Sequence, residues 1–66
     1  MSKNEVFTRL SADGRKCVTV YDDGPAAYPF NATFYRREFG MWVEAGYGRY
    51  CTTLAEAEQY ADTVLV

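Results

Sequence analysis

Apolar and polar positions alternate through the first two-thirds of the chain, and the period changes to that of a helix near the end. Glu5 to Leu10, "EVFTRL", reads as a first strand and is followed by the turn signal "SADG". Lys16 to Tyr21, "KCVTVY", is β-branched and stops at "DDGP", so the two segments predict a hairpin around Asp13-Gly14. Pro25 and Pro29 cannot donate to a ladder, which makes "DDGPAAYPFN" a loop or crossing segment. "ATFYRREF" predicts a third strand ended by Gly40, and "MWVEA" a fourth. In "GYGRYCTT" the glycines suit either a turn into a short fifth strand or a kink in one long strand; a continuation with a bulge or turn is the expectation. Thr53-Leu54-Ala55-Glu56 has the form of a capping box. Leu54, Ala57, Ala61, Val64 and Leu65 then repeat on one helical face with Tyr60 beside them, and Glu56, Gln59, Asp62 and Thr63 fall on the other. The expected architecture is α+β: a four- (or five-) stranded antiparallel sheet with one C-terminal helix packed on one face, as a single domain over residues 1–66.

A helix of about three turns covers only part of a sheet face. Strand parity therefore divides the side chains into a covered set and an open set. The covered set is expected to hold Val6, Leu10, Val18, Val20, Phe34 and either Trp42 or Val43, and the open set Phe7, Arg9, Thr19, Tyr21, Tyr35 and Arg37. Arg36 and Arg37 are neighbours in sequence and face opposite ways in a regular strand, so they form no joint basic patch.

Size sharpens the question of what the open set does. Sixty-six residues bury only about 60% of the surface that the unfolded chain exposes. The chain nevertheless carries six tyrosines, four phenylalanines and one tryptophan, more rings than so small a core encloses. Tyrosine and tryptophan on a surface are typical of interfaces, although aromatics also pave strands for their fit to a pleated sheet. The two cysteines, Cys17 and Cys51, match no zinc spacing, and the chain has no histidine. With no apolar stretch behind Met1-Ser2-Lys3-Asn4, a cytoplasmic protein with reduced thiols is expected, a single Cys17–Cys51 bridge being the alternative. No run approaches the ~20 apolar residues of a membrane helix, so no membrane partner is expected. A net charge of −2 lacks the basic footprint of a generic nucleic-acid binder.

Catalytic constellations are not formed by this sequence. Ser-His and Cys-His pairings need a histidine, Asp22-Asp23 sit at a turn, and Glu56, Glu58 and Asp62 lie on or beside the polar side of the helix. The expectation is no enzyme, no cofactor and no metal.

Two resemblances bear on function. The final stretch "MWVEAGYGRYCTTLAEAEQYA" resembles the strand-turn-strand-helix ending of small domains such as the AP2-like arm-binding domain of phage integrases. That family's sheet carries arginines and lysines on its DNA face; the comparable strands here offer Arg36, Arg37 and Arg49 alongside Glu38 and Glu44. In type, a short acidic chain rich in aromatics is similar to phage and prophage accessory proteins, including anti-CRISPR inhibitors of host defence. The leading expectation is a non-enzymatic protein-binding module, of the kind that blocks a host nucleoprotein complex. Its contacts would come from Tyr21, Tyr35, Arg37 and Trp42, with Glu56 and Asp62 facing a basic partner. The alternatives are nucleic-acid binding through Arg9, Arg36, Arg37 and Arg49, and a homodimeric scaffold paired through open faces or edges.

Overall fold

The computed structural model describes residues 4–65, and the side chains of residues 46 and 47 stand outside that description. Four strands and a helix follow in order: β1 (Glu5–Leu10), β2 (Lys16–Tyr21), β3 (Phe30–Glu38), β4 (Met41–Cys51) and α1 (Leu54–Val64). All neighbours are antiparallel, in the spatial order β1-β2-β3-β4, so the sheet is a meander with the helix returning across one face. The expected α+β architecture is therefore the one observed. No helix among the described residues is long and apolar enough to cross a membrane.

Each connection has its own local chemistry. Between β1 and β2 the Asp13 carboxylate accepts from the Ser11 hydroxyl (2.6 Å) and the Arg15 amide (3.0 Å), which folds the turn onto itself. Between β2 and β3, the Tyr28 amide donates to the Pro25 carbonyl and the Gly24 amide to the Pro29 carbonyl. The chain passes so close there that a Cβ on Gly24 would lie 2.0 Å from the Tyr28 carbonyl oxygen, which leaves room for glycine alone. The β3–β4 connection has only two residues. Phe39 and Gly40 both take positive φ, 53° and 76°, as a type I′ hairpin turn requires. Phe39 thus belongs to the turn, and β3 ends one residue earlier than its hydrophobic run suggests.

β4 is one long strand, but its pairing with β3 slips. Thr33 faces Gly48 while Tyr35 faces Glu44, so three residues of β4 span a step for which β3 uses one. The glycine-rich stretch is thus a continuation through an irregularity, with both halves of β4 bonded to β3. At its end the Thr53 hydroxyl accepts from the Glu56 amide (3.2 Å) and starts α1. The Glu56 carboxylate takes the neighbouring Thr52 hydroxyl (2.8 Å).

The core is small and lies between α1 and the middle of the sheet. Val18, Val20, Ala32, Cys51, Ala57 and Ala61 are fully buried, with Phe7, Phe30, Phe34, Tyr60, Val64 and Leu65 packed around them. Alanines at the contact let the helix approach the sheet closely. Leu54, at the helix's first turn, stays exposed.

The faces of β1 differ from those expected. Val6 and Leu10 are exposed (39% and 54%), whereas Phe7 packs on the core and Arg9 lies on the helix side. The register explains this. Phe7 and Arg9 pair with Val20 and Val18, Leu10 pairs with Cys17, and a bulge at Val6 absorbs one residue between Glu5 and Phe7. Arg9 tolerates the helix side because Asp62 (2.5 Å) and Glu58 (3.6 Å) of α1 meet its guanidinium. Val43 faces the helix side opposite Arg36 and Trp42 the other side opposite Arg37, and neither is buried.

Candidate functional site

The sheet face turned away from α1 is paved by pairs across the register. Thr8 faces Thr19, Cys17 faces Tyr35, Tyr21 faces Asn31, Tyr35 faces Glu44 and Arg37 faces Trp42. A shallow depression of about 310 Å³ runs over this face, lined by Glu5, Thr8, Cys17, Thr19, Tyr21, Tyr35 and Trp42. Its floor is closed: Cys17 and Thr19 are each only 5% exposed, although among the described residues no helix lies above them. The rings of Tyr21, Tyr35 and Trp42 line the same depression.

Hydroxyls on this face are matched to each other. The Thr8 and Thr19 hydroxyls are 3.0 Å apart, and those of Tyr21 and Tyr35 are 3.1 Å apart. Burial raises the Tyr35 phenol well above its ordinary value, and the bond to Tyr21 adds to the shift. Tyr35 is thus a neutral hydroxyl held in place. Burial likewise pushes the Cys17 thiol up, with the Glu5 charge contributing, which leaves Cys17 a poor nucleophile. At the far end of the depression the Arg37 guanidinium lies over the Trp42 ring, 5.7 Å from its centre. Beyond it the hairpin tip carries Phe39, wholly exposed, and Met41, 69% exposed.

The residues singled out in the sequence divide between the two faces. Tyr21, Tyr35 and Arg37 share the open face, in agreement with their parity, and Trp42, one of two residues expected under the helix, joins them there because it pairs with Arg37. Glu56 and Asp62 are on the helix side and already have cations: Arg49 lies 3.8 Å from Glu56, and Arg9 lies 2.5 Å from Asp62. The four arginines of the nucleic-acid alternative do not converge. Arg9, Arg36 and Arg49 each make an ion pair, Arg36 with Glu38 at 2.5 Å, and Arg37 stands on the opposite face from all three. Cys17 and Cys51 are both reduced and buried, and strand parity sets them on opposite faces of the sheet, so they do not meet.

Sequence reasoning missed Phe39 and Met41, and also Glu5, Thr8 and Cys17 in the depression. The signal for the tip was present: Glu38-Phe39-Gly40-Met41 has glycine second in a two-residue turn between strands. Among the described residues no three or more of histidine, cysteine, aspartate and glutamate gather where they could hold a metal ion. No protein-family model, curated protein or solved structure matches the chain.

Proposed function

We propose that the chain is a non-enzymatic protein-binding module that docks through its open sheet face. The observation that carries this reading is the continuous run of Tyr21, Tyr35, Trp42 and Arg37 across a face that the helix leaves uncovered. Its rings are ordered before any partner arrives, by the Tyr21–Tyr35 hydroxyl contact and by the stacking of Arg37 on Trp42. Ordered aromatics and arginine lose little conformational freedom on association, which is why they dominate interface energetics. A blocking role against a host nucleoprotein complex is the narrower form of this reading. In that form the block is steric, because the acids of α1 are engaged by Arg9 and Arg49.

The test is partner retention from an extract of the natural source, compared between the wild type, Tyr35→Ala and Arg37→Ala. Tyr35→Ala is expected to lose the retained protein, with Arg37→Ala weakening it, while circular dichroism shows both variants folded. Undiminished retention by both folded variants would sink the open-face reading.

A further inference from the structure

The outer edge of β4 is the least guarded part of the sheet. β1, the other edge, is six residues long and bulged at Val6, two devices that deter pairing with another chain. β4 carries no lysine or proline, and its regular first part, ahead of the slip at 45–47, exposes Met41, Trp42 and Val43 in succession. The Arg37 amide donates to the Arg15 carbonyl (2.8 Å), so at this position β3 turns its polar groups away from β4. The facing residue, Trp42, then turns its own N–H and C=O away from β3, as does Glu44 two residues on. Trp42 and Glu44 thus present donors and acceptors to the outside at the spacing of a strand ladder.

We propose that this edge pairs with the same edge of a second copy, antiparallel about a two-fold axis at Val43. In that register Trp42 faces Glu44 of the second copy, and Glu44 faces its Trp42, so the outward groups of both residues on both chains are matched. Val43 meets Val43 between them. The charges select this register over the one centred on Glu44. Arg37 stacks on Trp42, and neither Arg37 nor Glu44 makes an ion pair among the described residues. The two-fold brings the Glu44 carboxylate of one copy beside the Arg37 guanidinium of the other, twice over. A register centred on Glu44 would instead oppose two carboxylates. The product is one eight-stranded sheet whose two open depressions lie side by side on a common face.

This proposal does not rest on the partner-docking reading, since a monomer would leave that reading intact. It is tested by sedimentation equilibrium of the full chain as wild type, Arg37→Glu, Glu44→Arg and the double variant Arg37→Glu/Glu44→Arg. The expected result is a wild-type dimer, a dissociation constant raised about tenfold or more by either single reversal, and recovery in the double variant. Melting curves check that all four chains fold alike. A wild-type monomer at the highest soluble concentration overturns the proposal, and so does a dimer indifferent to the reversals or one that the double variant fails to restore.

Discussion

Phe39 sits where a hairpin turn favours asparagine or glycine. A left-handed backbone brings a bulky L-residue's Cβ against the next carbonyl, and this ring, fully exposed, gains no packing in return. Phe39→Asn is therefore expected to stabilise the isolated chain by about 1 kcal/mol. A rise of several degrees in thermal midpoint would register it, and an unchanged or lower midpoint would count against the turn assignment. Tyr35 gives a second expectation, for alkaline pH. Its proton is held in the folded state above the ordinary tyrosine value of about 10, whereas the unfolded chain releases it there. The unfolded state then binds fewer protons, so stability falls as pH rises through and beyond that value. Tyr21→Phe removes the hydroxyl partner and should make this alkaline loss shallower, as read from denaturant midpoints across the alkaline range.

A polar cap starts the helix, and two small residues let it sit close on the sheet. Thr53→Ala removes the acceptor of the Glu56 amide and is expected to cost about 1 kcal/mol in chemical denaturation. Ala57→Leu places a larger side chain where Ala57 is fully buried against the sheet, and overpacking there should cost about 1–3 kcal/mol. Both elements were readable in the chain: the capping pattern gave the start of α1, and the 3.6-residue period gave Ala57 and Ala61 as its contact. β1 was misread for a physical reason. Alternation in "EVFTRL" supports either face: Val6 and Leu10 make one side apolar, and Phe7 makes the other partly so. Strand parity carries no information about an arginine whose charge is answered by acids 49 and 53 residues further on, Glu58 and Asp62. Nor does it reveal a bulge at Val6, which exists only in relation to Tyr21 and Val20.

Over the whole molecule, the open face was legible wherever a strand is regular: Tyr21, Tyr35 and Arg37 fell where parity put them. The depression was legible only in part: Cys17 shares the parity of Thr19 and Tyr21, whereas Glu5 and Thr8 join it through pairing between strands. The sheet also settles the thiols. With Cys17 on one side and Cys51 on the other, oxidising conditions should yield no intramolecular bridge, and a mass two hydrogen atoms below that of the reduced monomer would contradict the register.

The slip in β4 differs in kind from the bulge in β1. One extra residue at Val6 exchanges inside and outside along the rest of its strand, whereas the slip inserts two, and an even number restores the original alternation. Trp42, Glu44, Gly48 and Tyr50 accordingly stay on one side from end to end. The stretch 45–47 is therefore a place where length can change in steps of two without rewriting the surface. A chain shortened by two residues there should keep its fold and both faces; one shortened by a single residue should turn Arg49 and Cys51 outward and lose the seat of the helix.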